Sequence, residues 1–207
     1  MIAIVDYGSG NIKAIANIYE RLNIEVRVVS KPEQLVKASK IILPGVGAFD
    51  DSMARLNASG LREALDQQVL ESHIPVLGVC VGMQMMACSS EEGNERGLCW
   101  FKNSEVVRFD ESILPHKPKL PHMGWNNARP VQEHPIFEEV DEKKGFYFLH
   151  SYRFICEEEH QLAVTHYGVE FVSAARKGNI FGFQFHPEKS HSNGVNLFKN
   201  FAGLKQC

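Results

Sequence analysis

Residues 75–84 read PVLGVCVGMQ, and this stretch decides the fold class. An apolar run of strand type ends at Cys80, and a helix-like run begins directly after it. Gly78 and Gly82 flank the cysteine, as in the strand–turn–helix elbow that presents a hydrolase nucleophile. The amides and the dipole at the start of such a helix favour a thiolate. The stretch predicts an α/β unit with a nucleophile at a strand end, although a core cysteine beside packing glycines fits the same letters.

Strands and helices alternate on the N-terminal side of this elbow. Continuous apolar strands separated by helical patterns are typical of parallel sheets that are covered on both faces. We therefore predict an open, mostly parallel sheet with helices on both faces. The predicted strands are 2–7, 25–30, 40–45 and 75–80, and the predicted helices are 11–22, 32–39 and 61–72.

Downstream of the elbow the pattern changes to closely spaced strands. Only turn residues separate them, which is typical of antiparallel hairpins added to the same sheet. No repeat and no Gly-, Ser- or Pro-rich linker interrupts the chain, so residues 1–207 are expected to form a single domain. The predicted strands here are 105–109, 145–154, 161–167, 171–178 and 179–186, followed by a helix over 191–204.

Composition and charge narrow the function classes. The chain has 207 residues, 44% of them hydrophobic, and a formal net charge of −3, which leaves no broad basic surface for nucleic acid. Its apolar runs are too short for a membrane span, and the N-terminus lacks the basic and apolar regions of a signal peptide. We therefore expect a cytoplasmic protein.

The cysteine and histidine spacings predict neither a disulfide framework nor a metal site. Five cysteines are present, an odd number, and no Cys-x-x-Cys occurs. The nine histidines show no His-x-His or His-Glu-x-x-His spacing. We expect reduced thiols, no metal and no cofactor.

A cysteine nucleophile needs a base, and His186 is the best candidate. It follows the apolar run FGFQF, so we expect it at the carboxyl end of a strand, where open α/β sheets bind ligands. Glu188, two positions further, is expected to orient the imidazole toward Cys80. The backbone amides of Val81 and of Val46, in the turn PGVG, are candidate oxyanion donors. Taken alone, each motif is explained better by a surface His-Pro-Glu turn or a plain glycine turn, and only the combination with the elbow favours catalysis.

Eight segments, read in order, resemble the class I (triad-type) glutamine amidotransferases. The match runs nearly end to end, and PHMGWN with FHPEKS makes the chain most similar to the glutaminase subunits of imidazole glycerol phosphate synthase. The resemblance implies that family's α/β fold, a flavodoxin-like open sheet, mostly parallel, with antiparallel strands in the C-terminal half. The segments are IVDYGSGNI, LPGVGAF, GVCVGMQ, SEEGN…GL, PHMGWN, FYFLHSY, FGFQFHPEKS and LFKNF.

The resemblance also assigns roles to residues in these motifs. It implies that glutamine is hydrolysed to glutamate and ammonia, with Cys80 as nucleophile, His186 as base and acid, and Glu188 as orienting carboxylate. The residues implied to bind glutamine are Gly47, Gln84, Glu92 and the backbone of Ser151 and Tyr152.

A partner chain is implied as well, because free ammonia in water is mostly ammonium and must reach a second active site by a dry route. In this family the partner is a (β/α)8-barrel cyclase subunit, which forms a heterodimer with the glutaminase and makes imidazole glycerol phosphate and AICAR in histidine biosynthesis. Glutamine hydrolysis is weak until the partner binds its ligand, and the turning of one PGVG peptide is the expected switch. The implied contact residues are Asn11, His122, Met123, Gly124, Trp125, Asn126, Tyr147 and Lys189.

Other readings stay open. The chain also resembles paralogues that supply ammonia for amination of a surface-polysaccharide sugar nucleotide, and the usual family residues are replaced at Val81, Cys99, Trp100 and Arg153. GSGNIK, at 8–13, follows a strand and opens a helix as a nucleotide-binding loop does, although it lacks the third glycine. A catalytically dead scaffold for the barrel is a further alternative. From the sequence alone, Trp125 is as consistent with an interface anchor as with a core aromatic.

Overall fold

The computed structural model describes residues 1–114 and 119–205. In chain order its strands are β1 Ile2–Val5, β2 Val26–Val29, β3 Lys40–Gly45, β4 Val76–Cys80, β5 Ser89–Ser90, β6 Glu105–Arg108, β7 His122–Asn126, β8 Arg129–Pro130, β9 Phe146–His150, β10 Tyr152–Ile155, β11 Gln161–Tyr167, β12 Val169–Lys177 and β13 Ile180–Phe183. The helices are α1 Ile12–Arg21, α2 Pro32–Leu35, α3 Phe49–Ala58, α4 Leu61–Asp66, which continues as a π-helix over Gln67–Glu71, α5 Val81–Gln84 and α6 His191–Gly203. Within the described ranges, no helix is long and apolar enough to cross a membrane.

Parallel strands form the half of the main sheet that carries the elbow. The strand order is β2-β1-β3-β4-β13-β12-β10-β6-β5, and the first five of these strands run parallel. Beyond β13, strands β12, β10 and β6 pair antiparallel, and β11 joins β12 and β8 beside them. Strands β7 and β9 form a separate antiparallel pair. The predicted α/β class is confirmed, with parallel strands first and antiparallel strands added later.

Buried strands and amphipathic helices produce this layering. Every residue of β1 and of β4 is buried, as expected for central strands that are covered on both faces. On α1 the buried residues are Ile15 and Tyr19, one turn apart, and the Tyr19 ring packs 5.4 Å from that of Phe198 on α6. The strand that ends at Cys80 therefore lies in the middle of one hydrophobic core.

Two strands near the site differ from the prediction. The stretch 145–154 is not one strand, because it bends at Ser151 into β9, which pairs with β7, and β10, which joins the main sheet. The stretch 179–186 remains a strand only to Phe183, because the amide of His186 donates to the carbonyl of Tyr147 on β9 at 2.9 Å. His186 therefore lies on the turn after the strand and not at the strand end itself.

Helix α3 is absent from the prediction, which covers the segment only as a glycine-rich turn. Its buried residues Phe49, Met53 and Leu56 recur at helical spacing, but acidic and polar residues separate them. The apolar stripe is therefore narrow. The helix follows the PGVG turn directly and brings its first amide to the site described below.

The prediction of reduced thiols is wrong for Cys88 and Cys99, which form a disulfide. Their Cα atoms are 4.0 Å apart, because the amide of Cys99 donates to the carbonyl of Ala87 and aligns the two segments. Cys99 has a φ of 55°, a left-handed value that favours glycine. Cys80 and Cys156 are free and buried. The disulfide closes the loop that contains Glu92.

Candidate active site

Cys80 occupies a sharp turn between β4 and α5. Its φ of 54° and ψ of −111° are unusual for a residue that has a side chain. A Cβ atom on Gly78 would lie 2.6 Å from the carbonyl oxygen of Gly82, and a Cβ atom on Gly82 would meet the carbonyl oxygen of Leu43. Both glycines are therefore needed for α5 to begin directly at the strand end with the cysteine at its tip.

His186 and Glu188 lie beside the thiol. The Nδ1 atom of His186 is 2.8 Å from Oε1 of Glu188, and Nδ2 of Asn11 donates to the same oxygen at 2.6 Å. Cys80 acts on the pKa of His186, and both side chains line one cavity, so Nε2 is the ring nitrogen left for the thiol because Nδ1 faces the carboxylate. Glu188 reaches the imidazole through the 3-10 turn Pro187–Lys189. The structure thus brings the three predicted side chains together.

Burial and charge act in opposite directions on this pair. Burial alone lowers the pKa of His186, but the hydrogen bonds and negative charges of Cys80 and Glu188 outweigh it and raise that pKa well above its ordinary value. For Glu188, burial raises the pKa, and the hydrogen bonds from His186 and Asn11 reverse this effect and lower it. The geometry therefore favours an imidazolium between a carboxylate and the thiol.

Cys80 and His186 face a cavity of about 650 Å³ at the carboxyl edge of the parallel strands, and Glu188 contacts the imidazole from outside the cavity lining. This is the position where open α/β sheets bind ligands. Its walls contain both predicted oxyanion residues and every residue predicted to bind glutamine. Of the predicted residues, those that line the cavity are Asn11, Val46, Gly47, Cys80, Val81, Gln84, Glu92, Ser151, Tyr152, His186 and Lys189.

Gln84 and Glu92 are held so that acceptor atoms face this cavity. The amide nitrogen of Gln84 donates to Oε1 of Gln184 at 3.0 Å and to the carbonyl of Tyr152 at 3.4 Å, which uses both of its protons. Its oxygen is therefore the atom that it offers to a ligand. One oxygen of Glu92 accepts the amide of Phe49, the first residue of α3, at 2.9 Å. Two acceptors on one wall suit a ligand that carries an ammonium group.

The Val46 amide is engaged elsewhere in this structure. It donates to Oγ of Ser9 at 3.1 Å, and the Ser9 hydroxyl donates to the Val46 carbonyl at 2.9 Å. In this orientation Ser9 satisfies both polar atoms of the Val46 backbone, and the oxyanion role of Val46 stays a prediction. The amide of Val81 begins α5, where amides have no intrahelical acceptor, and it remains a donor at the cavity wall.

Comparison with known proteins decides the family. The family model of class-I glutamine amidotransferases matches residues 3–203. The chain belongs to the class-I glutamine amidotransferase family. The imidazole glycerol phosphate synthase subunit HisH of Bdellovibrio bacteriovorus is 50% identical over 205 residues, which cover 99% of this chain and 100% of that protein. The HisH subunit of Leptospira interrogans is 45% identical, with the same coverage.

Solved structures agree on the fold of this glutamine amidotransferase. The structure of PurLQS from Thermotoga maritima matches with a TM-score of 0.70 at 17% identity, covering 98% of this chain and 97% of that chain. At such low identity the likeness extends to the fold only.

The amidotransferase site also contains residues that sequence reasoning missed. Gln184 is fully buried, and its amide nitrogen lies 3.8 Å from Sγ of Cys80. A polar residue inside the apolar run FGFQF was a usable signal, because a buried amide needs hydrogen-bond partners. Ser9 gave no signal beyond its place in a glycine-rich turn. The other residues that line the cavity without having been predicted are Arg108, Pro121, Leu149 and His150.

Three of the predicted partner contacts, Met123, Trp125 and Tyr147, lie on the outward face of β7 and β9. Met123 and Trp125 are 60% and 48% exposed, which excludes Trp125 as a core aromatic in this chain. The Trp125 ring stacks on that of His191 at 5.2 Å, and the Lys189 ammonium lies 5.5 Å from the centre of the Tyr147 ring. An exposed apolar and aromatic surface thus lies beside the cavity mouth.

Three of the predicted contact residues also make contacts within the chain, and their part in a partner surface stays a prediction. His122 is buried, because alternate residues of a strand face opposite sides and Met123 takes the outer one. Asn126 donates to His122 and to the carbonyl of His166. Asn11 binds Glu188 and therefore supports the triad.

Proposed function

We propose that this chain is the glutaminase subunit of imidazole glycerol phosphate synthase. It hydrolyses glutamine and passes ammonia to a (β/α)8-barrel cyclase subunit that makes imidazole glycerol phosphate and AICAR in histidine biosynthesis. The single observation that carries the proposal is the joining of Cys80, His186 and Glu188 at the cavity, in a chain that is 50% identical over almost its full length to a HisH subunit. The whole chain, residues 1–207, acts as one domain in this proposal.

The triad performs two successive acyl transfers. The Cys80 thiolate attacks the carboxamide carbon of glutamine, and His186 donates a proton to the departing nitrogen, which leaves as ammonia. A γ-glutamyl thioester remains on the cysteine. A water molecule then attacks this thioester and gives a proton to His186, so that glutamate leaves and the thiolate is restored. Glu188 keeps the imidazole in the orientation that both steps need.

The cavity wall provides recognition of the amino-acid end of glutamine. The oxygen of Gln84 and the carboxylate of Glu92 accept hydrogen bonds from the α-ammonium group. The backbone at Gly47, Ser151 and Tyr152 completes the pocket around the α-carbon. This assignment places the carboxamide end of the substrate at Cys80, one extended side chain away from the ammonium group.

Control of the reaction lies at the oxyanion position. The Val81 amide is one donor, and the Val46 amide becomes the second when its peptide turns away from Ser9. A developing oxyanion that accepts one hydrogen bond is stabilised less than an oxyanion that accepts two. Weak hydrolysis by the isolated chain follows from the Ser9 contact, and the partner relieves it by favouring the turned peptide.

The partner surface is the exposed face of β7 and β9. Met123, Gly124 and Trp125 form its centre, with Tyr147 and Lys189 beside the cavity mouth. A hydrophobic and aromatic patch of this kind anchors a stable interface, and its position lets ammonia leave without crossing bulk water. The proposed heterodimer acts in the cytoplasm.

Glutamate release in three parallel assays tests the proposal. The chain is assayed alone, with the cyclase subunit encoded by the same genome, and with that cyclase and its nucleotide substrate. Strong stimulation in the third assay alone is the expected result. No stimulation, together with normal labelling of Cys80 by the glutamine analogue 6-diazo-5-oxo-L-norleucine, would assign the chain to sugar-nucleotide amination. No labelling would favour a catalytically dead scaffold.

A nucleotide-binding function has less support. Ser9, in the GSGN turn, is bonded to Val46, and a Cβ atom on Gly10 would lie 2.6 Å from Cβ of Pro44. The turn is therefore packed against the end of β3 and does not form an open phosphate cradle. Absorbance of the purified chain at the wavelength of a nucleotide base checks this directly.

A further inference from the structure

Two buried histidines connect strand β7 to the backbone of the cavity. His122 and His150 are opposite each other in the β7–β9 pair, with Nδ1 of His122 2.9 Å from Nε2 of His150. Nδ1 of His150 lies 2.7 Å from the carbonyl oxygen of Tyr152. On the other side, Nδ2 of Asn126 lies 3.2 Å from Nε2 of His122. These contacts form one continuous row of hydrogen bonds.

The chemistry of the two end groups sets every proton in this row. A carbonyl oxygen only accepts, so Nδ1 of His150 carries a proton and its Nε2 is an acceptor. The amide nitrogen of Asn126 only donates, so Nε2 of His122 accepts and its Nδ1 carries the proton that faces His150. Both imidazoles are therefore neutral. Burial, and next to it the neighbouring His122, lower the pKa of His150 to about 3, which agrees with this assignment.

The row continues from Tyr152 to the nucleophile. The same carbonyl accepts the amide of Gln84 at 3.4 Å, the Gln84 amide donates to Oε1 of Gln184 at 3.0 Å, and Nε2 of Gln184 lies 3.8 Å from Sγ of Cys80. Gln84 and Gln184 are buried. The direction of each amide depends on the acceptor that its neighbour presents, so the orientation of the Tyr152 carbonyl affects both glutamines.

Packing alone does not explain two histidines at this place. Aromatic rings surround them, and phenylalanine would fill the same volume without the cost of burying polar nitrogens. That cost is offset only because every ring nitrogen has a partner. The rings within 6 Å of one or both imidazoles are Phe109, Phe148, Tyr167 and Phe171.

We propose that His122 and His150 are positioning residues for glutamine hydrolysis. They hold the Tyr152 carbonyl, and through it the amides of Gln84 and Gln184, in the orientation that binds glutamine beside Cys80. Neither imidazole acts as an acid or a base, since both nitrogens of each are engaged within the protein. The inference rests on the proposed function, because glutamine is the ligand that it concerns.

A pair of substitutions at His122 separates positioning from packing. His122→Asn keeps a donor close to the place of Nδ1 but leaves a smaller side chain in the aromatic cluster. His122→Phe keeps the ring that stacks on Phe148 and Tyr167 but removes the donor. We measure KM and kcat for glutamine, the rate at which 6-diazo-5-oxo-L-norleucine alkylates Cys80, and the thermal midpoint, all on the full chain.

We expect the Phe variant to lose more activity than the Asn variant, and the Asn variant to lose more stability than the Phe variant. The Phe variant should show a KM increase on the order of 10-fold and slower alkylation, with an unchanged or higher thermal midpoint. The Asn variant should keep KM within about threefold although its midpoint falls. If the Phe variant keeps the wild-type KM, or if activity simply follows the thermal midpoint, the positioning role is wrong.

A second variant tests the same row from its inner end. His150→Phe keeps an aromatic ring but removes the donor to the Tyr152 carbonyl and the acceptor for His122. It should raise KM as His122→Phe does, and His150→Phe with a wild-type KM would also overturn the proposal. Absence of Cys80 alkylation in the wild-type chain is a different result, because it removes the proposed function and the positioning role with it.

Discussion

Ser9 satisfies both backbone polar atoms of Val46. Its oxygen accepts the Val46 amide at 3.1 Å, and its hydroxyl proton goes to the Val46 carbonyl at 2.9 Å. The N–H belongs to the Gly45–Val46 peptide and the carbonyl to the Val46–Gly47 peptide, so turning the N–H toward Cys80 breaks its hydrogen bond to Ser9. Ser9 therefore holds the proposed second oxyanion donor in an unproductive orientation.

Replacing this hydroxyl should activate the isolated chain. Ser9→Ala removes the acceptor that holds the Val46 N–H, and since one such hydrogen bond contributes about 0.5–1.5 kcal/mol, we expect glutamate release without partner to rise about 2- to 10-fold. The rise is bounded by the value of one oxyanion donor, about 10²–10³ in kcat. Ser9→Thr keeps a hydroxyl and is the matched control. Equal basal rates in all three proteins would show that Ser9 does not restrain the Val46 peptide.

Cys80→Ala should abolish glutamine hydrolysis, to below about one thousandth of the wild-type rate, because no other group in the cavity forms the thioester. Partner binding should remain near normal. Cys156→Ala is the matched control, since that thiol is buried away from the cavity lining. Mass spectrometry after treatment with 6-diazo-5-oxo-L-norleucine should show one adduct in the wild type and in the control. An adduct on Cys80→Ala would place the nucleophile elsewhere.

Glu188→Gln should destabilise the chain in a restricted pH range. The raised pKa of His186 contributes stability that is complete below its ordinary pKa of about 6.5 and declines as the pH rises above it. The lowered pKa of Glu188 contributes stability that is complete above its ordinary pKa of 4.5 and declines as the pH falls below it. The wild type should therefore exceed the variant most between about pH 4.5 and 6.5.

Urea unfolding at pH 5.5 and at pH 9 measures this difference. Glu63→Gln, which replaces an exposed carboxylate on α4, is the control and should change stability little at either pH. A difference between wild type and Glu188→Gln that is equal at both values would mean that the ion pair does not form in the folded chain.

The parallel strands could be predicted from the sequence because buried strands are continuous apolar runs. β3 coincides with its predicted range, and β4 differs by one residue. The bend at Ser151 could not be predicted from the sequence, since it depends on which strands pair with each half of 145–154. Strand β9 pairs with β7 and strand β10 pairs with β6, and neither pair is adjacent in the sequence. Helix α3 was not predicted because its apolar stripe is narrow.

In the candidate site, too, residues in local motifs could be predicted and residues that meet only through the fold could not. Cys80, His186 and Glu188 stand in motifs whose local geometry explains their chemistry, so the sequence points to them directly. Asn11 and Gln184 serve the triad only through contacts made across the fold, 177 and 104 residues from their partners. Cys88 and Cys99 belong to the same group. Their separation of 11 residues matches no disulfide or metal motif, and only the alignment of two loop segments brings them together.

Trp125→Ala should weaken assembly with the cyclase subunit while the isolated chain keeps its basal activity. An exposed aromatic anchor is typically worth at least 2 kcal/mol, so Kd should rise about 30-fold or more. Titration calorimetry with the cyclase gives this value. Leu70→Ala is the matched control, because Leu70 is equally exposed at 47% but lies on the π-helix after α4. Equal affinities of the two variants would show that β7 is not the docking strand.

The disulfide between Cys88 and Cys99 should be detectable and should stabilise the fold. The denatured chain should take up two more alkyl groups after reduction than before it, and both should be found on Cys88 and Cys99. Reduction should lower the free energy of unfolding by about 2–3 kcal/mol, the loop-closure value for a separation of this size. Identical unfolding curves with and without reductant would contradict the disulfide.

Substitution separates the disulfide from the backbone strain at Cys99. Cys88→Ser should reproduce the destabilisation by reductant and leave Cys99 in its left-handed conformation at a φ of 55°. Adding Cys99→Gly should recover about 1 kcal/mol, because glycine adopts that conformation without strain. Reductant should have no effect on either variant. If the double variant is less stable than Cys88→Ser, the conformation at residue 99 is not left-handed in solution, and the closed loop around Glu92 has a different shape.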